Sequence, residues 1–168
     1  AVGIKDASLY NHFSGKQALF DAIVRDALER TRRFFGERSI LFDVTDDTAP
    51  YEEMTAARLR EMVLPSFRYF FEDPYMVRLR QAGRVYRLVF VEQPMALQRT
   101  VFEHLMATGE FVRDDAAQMA IELQGVPFML MHAGLTWEEA EPRLAAHVER
   151  FARAHTAPGR GIRGEERA

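Results

Sequence analysis

The 168-residue chain contains no cysteine. Disulfide bonds, thiolate zinc sites and cysteine nucleophiles are therefore excluded, and the composition fits a reducing compartment. The sequence also lacks the run of about eighteen apolar residues that a transmembrane helix needs, and it shows no signal-peptide pattern. These absences predict a soluble, cytoplasmic protein.

Signatures of catalysis are missing as well. The sequence holds no G-x-S-x-G motif, no Rossmann fingerprint and no helical pair of histidines beside a carboxylate. The stretch Ala107-Thr108-Gly109-Glu110 suits the end of a helix rather than a phosphate-binding loop. We therefore expect no enzymatic activity, no metal site and no resident cofactor.

The formal net charge is −3, so the chain as a whole does not attract a polyanion such as nucleic acid. The charges are unevenly placed, because residues 1–33 carry more basic than acidic side chains. The basic ones are Lys5, Lys16, Arg25, Arg30, Arg32 and Arg33, and the acidic ones are Asp6, Asp21, Asp26 and Glu29. Only this end of the chain is mildly basic.

Hydrophobic residues make up 48% of the chain, which is enough for a packed core. Apolar side chains recur at helical spacing, and no segment alternates convincingly with a period of two. The sequence therefore predicts an all-α fold. The predicted helices cover residues 5–13, 15–35, 51–71 (interrupted by Pro65), a segment from Pro74 with Gly83 as a break, 94–106 (ended by Gly109), 114–135 (capped by Asp114) and 137–155.

The most informative stretch runs from Ile4 to Lys16. As a helix, it places Leu9 and Phe13 on one buried face and leaves short polar side chains over the remainder. Ser14 or Gly15 then caps a long helix that begins near Lys16. The pattern is that of a short helix, a tight turn and a long helix.

This stretch resembles the recognition helix of the tetracycline-repressor (TetR) family of transcription regulators. The family pattern reads Lys-x-x-Ser/Thr-Leu-Tyr-x-His/Tyr-Phe, then x-x-Lys and an aliphatic run. The matching residues here are Lys5, Ser8, Leu9, Tyr10, His12, Phe13 and Lys16. The resemblance implies a partial helix-turn-helix domain followed by a helical bundle, and we expect the family's first two helices to lie outside this chain, since Ala1-Val2-Gly3 corresponds to the turn.

The resemblance also implies which residues contact DNA. Ser8, Tyr10, His12 and Lys16 would position phosphates, and Lys5, Asp6, Ala7 and Asn11 would face the bases of a palindromic half-site. Asp6 is discordant, because phosphates repel a carboxylate unless it reads a cytosine amino group. The alternative is a solvated polar helix face with an ordinary capping lysine.

In the same family the last two helices pack against those of a second subunit. The corresponding residues here would form a homodimer interface: Ala120, Leu123, Phe128, Leu144, Val148, Phe151 and Ala152. The alternative is that these side chains cover the core of their own chain. Periodicity alone does not distinguish the two.

Most of the thirteen Phe and eight Met residues lie between residues 54 and 131, where they would line a pocket for a small apolar or aromatic effector of unknown identity. Tyr86 and His132 are the polar exceptions, and either would orient a ligand or belong to the core. The predicted pocket residues are Met62, Phe67, Phe70, Tyr86, Phe90, Phe102, Met106, Phe128, Met131 and His132.

These observations predict three parts: the remainder of a DNA-binding domain (1–35), a ligand-binding and dimerisation domain (36–156) and a flexible tail (157–168). The expected function is that of a homodimeric repressor released from DNA by a ligand. The rival interpretation is a helical small-molecule carrier or interaction module with a helix-turn-helix remnant that does not bind DNA.

Overall fold

The computed structural model describes residues 13–37, 54–80 and 83–160. Within these ranges the protein is helical and contains no β-strand, so the predicted all-α fold is confirmed. The helices are α1 (Lys16–Glu37), α2 (Ala56–Glu72), α3 (Pro74–Leu79), α4 (Arg84–Tyr86), a π-helical segment (Arg87–Glu92), α5 (Gln93–Ala107), α6 (Ala116–His132) and α7 (Trp137–His155).

Side-chain caps define where several helices begin. Thr136 forms a capping box with Glu139 at the start of α7. At the start of α3, the Asp73 side chain accepts hydrogen bonds from the backbone N–H groups of Tyr75 and Met76. The predicted cap of α6, Asp114, is one residue too early. Asp115 Oδ1 accepts from the backbone N–H groups of Ala117 and Gln118, at 2.8 and 3.1 Å, so Asp115 is the cap.

Glycine ends or interrupts the helical path where it was expected to. Gly109 follows α5 with φ of +74°, and the Glu110 N–H bonds back to the Leu105 carbonyl at 2.9 Å. Gly83 precedes α4 with φ of +43°. Both conformations are in the region that favours glycine, so the chain turns there.

The core lies where α5 packs on α6 and where α7 packs on α2 and α6. Phe102, Leu105, Leu123 and Leu144 are fully buried at its centre. Each such side chain contributes about 1.5–3 kcal/mol through the apolar surface it removes from water. These helices are therefore held by the bundle rather than by their own propensities.

Helix α1 packs against α4 and the π-helical segment. Ala27 is fully buried at the contact, and the ring of Phe34 stacks on Tyr69 of α2 at a centroid distance of 4.1 Å. The Arg30 guanidinium lies over the Tyr75 ring at 4.4 Å. Contacts along much of its length thus fix α1 to the bundle.

The segment after α7 returns to the bundle. Phe111 and Thr156 form an antiparallel bridge, and the Ala157 N–H donates to the Glu110 carbonyl at 2.8 Å. Residues 158–160 form a turn, and Arg160 pairs with Glu110 at 3.4 Å. The first residues of the predicted flexible tail are therefore attached to the bundle, and residues 161–168 lie outside the described residues.

Candidate functional site

Helices α1, α2, α5 and α6, with the π-helical segment, line an apolar cavity of about 130 Å³ that is partly open at the surface. Most of its wall is aliphatic or aromatic, and six of its side chains are polar. The lining residues are Leu28, Thr31, Arg32, Met54, Leu59, Met62, Val63, Ser66, Phe67, Phe70, Val89, Gln93, Pro94, Leu97, Gln98, Val101 and Gln124.

The size of this cavity is sufficient for an organic ligand. An engineered apolar cavity of about 150 Å³ binds benzene, whereas about 10–15 Å³ is needed for a single water molecule. A second cavity, between α2 and α7, measures only about 10 Å³. The first cavity therefore has room for a small ring, and the second holds at most one water.

Two polar side chains in the wall already have partners within their own helices. The Thr31 hydroxyl donates to the Ala27 carbonyl at 2.8 Å, and the Ser66 hydroxyl donates to the Met62 carbonyl at 2.7 Å. Such back-bonding to the preceding turn satisfies the hydroxyl hydrogen. These two residues thus do not require a ligand to complete their donor bonds.

Two glutamine side chains meet at the wall where α5 packs on α6. Gln98 Nε2 donates to Gln124 Oε1 at 3.1 Å, and Gln124 is only 3% exposed. Gln98 Oε1 is a buried atom with no hydrogen-bond partner in the structure. This carbonyl oxygen therefore has unused acceptor capacity, although it is buried between α5 and α6 rather than exposed to the cavity.

The charges around the cavity are of one sign. Arg32, an exposed residue, contributes to the lining from α1, and none of the described lining residues is acidic. A cationic ligand would thus find no carboxylate in the wall. The interior is apolar except for the amide and hydroxyl groups.

Of the ten predicted pocket residues, Met62, Phe67 and Phe70 line the cavity. The structure places the side chains of five others elsewhere, and those of Tyr86 and Phe90 lie outside the described side chains. The five are Phe102, Met106, Phe128, Met131 and His132.

The packing of these five side chains explains why they do not line the cavity. Phe102 and Met131 are buried in the core, and Met106 packs partly buried against it. Phe128 and His132, four residues apart on α6, place their rings 4.0 Å apart, and His132 is exposed. Composition predicted an aromatic, Met-rich region but did not separate a cavity wall from the filled core beside it.

The polar part of the wall was not predicted. Gln98 and Gln124 each stand in a largely apolar helix, and Gln124 lies within the run from Met119 to Met131. A buried amide requires a hydrogen-bond partner, so an uncharged polar residue inside an apolar helical face was the available signal. The sequence did not indicate which helix supplies the partner of each glutamine, because this depends on how α5 packs on α6.

The residues predicted at a dimer interface lie mostly inside the single chain. Most of them are buried in its core, and Ala152 lines the small cavity between α2 and α7. Phe128 and Ala152 are half-buried. The buried ones are Ala120, Leu123, Leu144, Val148 and Phe151, each at most 5% exposed.

A different face of α6 is apolar and accessible. Ile121 is 51% exposed and Met129 is 65% exposed, while Phe128 is half-buried. A Cβ atom added at Gly125, between them, would meet no atom within 4 Å. We call Ile121, Gly125, Phe128 and Met129 the outer face of α6. Helix α6 is therefore apolar on two faces, one of which is in the core.

The predicted DNA contacts Lys5, Asp6, Ala7, Ser8, Tyr10, Asn11 and His12 lie outside the described residues. Lys16 is exposed and is the first residue of α1. The Gly15 carbonyl accepts the first helical hydrogen bond, from Leu19 at 3.2 Å, which identifies Gly15 as the cap. Lys16 thus lies at a helix N-terminus, where backbone N–H groups favour an anion.

Polar contacts join the middle of α1 to α3. Arg30 Nε pairs with Asp26 Oδ2 at 3.0 Å, and the Tyr75 hydroxyl donates to the Ile23 carbonyl at 3.5 Å. Hydrogen bonds from Tyr75 and Arg30 lower the pKa of Asp26. Burial raises the pKa of Tyr75, and that of Tyr69, to about 12. Each of these groups keeps its ordinary charge at neutral pH, so they serve as structural links.

Among the described residues, no three or more His, Cys, Asp or Glu side chains are grouped so as to hold a metal ion. None of the described helices combines the length and apolar character needed to cross a membrane. Comparison with protein-family models finds no match, and comparisons with curated proteins and with solved structures find none either.

Proposed function

We propose that this protein is a DNA-binding transcription regulator of the TetR type that acts as a homodimeric repressor and is released by a small molecule held in the α1–α2–α5–α6 cavity. One observation carries the proposal. Helix α1 begins at Lys16, the last residue of the recognition-helix pattern, and its middle contributes Leu28, Thr31 and Arg32 to the cavity wall.

Helix α1 separates Lys16 from the cavity wall by only a short distance. Lys16 and Leu28 are twelve residues apart on one helix, which corresponds to about 18 Å at 1.5 Å per residue. Ala27 and the Phe34–Tyr69 stack attach α1 to the rest of the bundle. A ligand that displaces the middle of α1 would therefore move Lys16 at the N-terminus of the same helix.

Release from DNA requires that the ligand bind two conformations with different affinities. A coupling free energy of about 1–3 kcal/mol would change operator affinity by about 5–150-fold. The helix that carries Lys16 is the element that differs between the two conformations in this proposal. Release from DNA by this route does not require any catalytic step.

The outer face of α6 supports the homodimer. Ile121 and Met129 expose large apolar side chains, and Gly125 between them leaves room for a close helix approach. A two-fold axis would place the same face of a second copy against it. We expect Met129→Glu to shift the protein from dimer to monomer in analytical ultracentrifugation, while Arg99→Glu, at an exposed site on α5, leaves the dimer intact.

DNA binding is tested with the full-length protein and the intergenic DNA upstream of its own gene. A gel shift at two salt concentrations should show specific binding that weakens as salt rises, because bound phosphates release counterions. The double change Tyr10→Ala and Lys16→Ala should abolish the shift. The control is Arg99→Ala, which removes one exposed positive charge far along the chain and should leave binding unchanged.

The second candidate is a helical small-molecule carrier, which the cavity itself favours. A carrier would bind the ligand and show no salt-dependent binding to duplex DNA. If the full-length wild-type protein, correctly folded, failed to shift the intergenic DNA at low salt, the regulator proposal would be rejected in favour of the carrier.

A further inference from the structure

We propose that the α1–α2–α5–α6 cavity takes an apolar monocarboxylate, whose hydrocarbon body fills the interior while its carboxylate pairs with Arg32 at the opening. This inference rests on the ligand site of the proposed function and specifies the chemical class of its effector. Three features of the described cavity carry it: the position of Arg32, the charge around the opening and the volume of the interior.

Arg32 marks the place where the cavity opens to solvent. The cavity is partly open at the surface, and Arg32 is the one exposed residue among its described lining residues, the others being buried or half-buried. An exposed side chain that also lines a cavity lies at its rim. The hydrocarbon stem of an arginine lies along apolar surface while its guanidinium stays in water. The positive group is therefore accessible to a ligand that enters at this opening.

The charge around the opening is positive. None of the described lining residues is acidic, so no carboxylate in that wall opposes an anion. Residues 25–33 of α1 carry four arginines and only two acidic residues, Asp26 and Glu29, and Asp26 pairs with Arg30 at 3.0 Å. Glu29 is exposed and does not line the cavity. The local field at the rim therefore favours an anion over a cation.

A guanidinium suits a carboxylate in geometry as well as in charge. Its five N–H donors form a planar fork, which can hold both oxygens of a ligand carboxylate together with another acceptor. A carboxylate at the rim keeps part of its hydration, whereas one in the apolar interior would lose it without meeting a positive charge. The head group of the ligand is therefore held at the opening.

The interior defines the apolar body of the ligand. Its volume of about 130 Å³ is close to that of the engineered cavity of about 150 Å³ that accommodates benzene. Phe67, Phe70 and Met62 supply flat and flexible walls for a ring. A short methylene spacer joins a ring in the interior to a head group at the rim. A single-ring arylalkanoic acid therefore fits all three features.

The inference is tested by ligand-detected NMR titration of the full-length protein with 3-phenylpropionate, 3-phenylpropionamide and 3-phenylpropylamine. These probes share the ring and differ in the charge of the head group. We expect the carboxylate to bind about fivefold more tightly than the amide, which is the upper range for an exposed ion pair. The amine should bind more weakly than the amide. The preference for the carboxylate should decrease at high salt, because salt screens exposed charges.

Arg32→Gln should remove the preference for the carboxylate and leave the affinity for the amide unchanged. Arg32→Lys keeps the charge and should retain part of the preference. The matched control is Arg33→Gln, which removes the same charge from the adjacent exposed position of α1, outside the cavity wall, and should preserve the preference. Val101→Phe, which places a ring in the cavity, should weaken the binding of all three probes.

Equal affinities for the carboxylate and the amide, or no binding of any probe at millimolar concentration, would overturn the inference. So would a preference that survives Arg32→Gln, or one that Arg33→Gln abolishes equally, because the general field of α1 would then account for it. The gel shift with intergenic DNA is a separate readout. DNA binding without a preference for the carboxylate rejects this inference alone. A preference that depends on Arg32, without DNA binding, rejects the regulator proposal and retains the carboxylate site.

Discussion

Two sides of helix α2 are packed to very different extents. Leu59 and Val63 line the cavity of about 130 Å³ on the α1 and α5 side, and they also line the cavity of about 10 Å³ on the α7 side. The same two residues thus border an unfilled and a filled region. The difference between the two cavity volumes must come from the side chains that face Leu59 and Val63 on each side.

On the α7 side, aromatic rings occupy the space. The Phe102 and Phe151 rings lie 5.4 Å apart, and Phe111 lies 6.3 Å from Phe151. On the cavity side, Ser66, Gln98 and Gln124 add small or polar groups to a wall that also contains Phe67 and Phe70. A core of similar hydrophobicity is therefore filled or unfilled according to the volume and polarity of a few side chains.

The largest expected effect is on the filled side. Phe151→Ala should lower the free energy of unfolding by about 3–5 kcal/mol, because it removes buried apolar surface and leaves a new void. Phe67→Ala, in the wall of the large cavity, should cost at least about 1 kcal/mol less, since fewer contacts are lost there. Urea denaturation of both variants measures the difference. Equal losses would show that the two sides are packed alike.

The same substitution should have a larger effect on the filled side than on the cavity side. Val148→Leu adds a methylene to the filled region and should destabilise the protein by about 1–3 kcal/mol. Val101→Leu adds it to the wall of the large cavity, where there is room, and should change stability by less than about 1 kcal/mol. Thermal denaturation compares the pair. A destabilisation by Val101→Leu as large as that by Val148→Leu would mean that the cavity is not available.

A smaller effect on the stability of the fold is expected at high pH, through Tyr75, which contacts α1. The pKa of Tyr75 is about 12, against 10.0 in the unfolded chain, because burial disfavours tyrosinate. A raised pKa stabilises the fold below pH 10, and this contribution is lost as the pH rises toward 12. Phe does not titrate, so Tyr75→Phe should make the loss of stability between pH 10 and 12 less steep.

The measurement is the urea midpoint at several pH values, together with tyrosinate absorbance. Tyr69 also has a pKa of about 12 and remains in the variant, so part of the alkaline loss should persist. An unchanged pH dependence in Tyr75→Phe would contradict the burial of its hydroxyl.

The sequence predicted best where local signals were sufficient. Thr136 and Glu139 form a capping box, and the predicted range of α7, Trp137 to His155, agrees with the structure. The start of α3 likewise follows from Asp73 and Pro74. Caps and prolines act over a few residues, so their effects can be read without knowledge of tertiary packing.

The site was less predictable because it depends on which faces meet. Phe102 and Phe67 look alike in the sequence, yet one is in the filled core and the other lines the cavity. Helix α6 is apolar on two faces, so its pattern did not reveal that Leu123 points inward and Ile121 outward. The partner of Gln98 is twenty-six residues away in sequence, which no local pattern indicates.

The central claim is that filling the cavity changes DNA binding through α1. The most direct measurement is the operator affinity of full-length Val101→Phe, whose ring occupies part of the cavity, by fluorescence anisotropy with labelled intergenic DNA. The control, Thr100→Phe, places the same ring at the adjacent exposed position on α5. We predict that Val101→Phe weakens operator binding by about 5–150-fold while Thr100→Phe binds as the wild type does. A folded Val101→Phe protein with wild-type operator affinity would contradict the account.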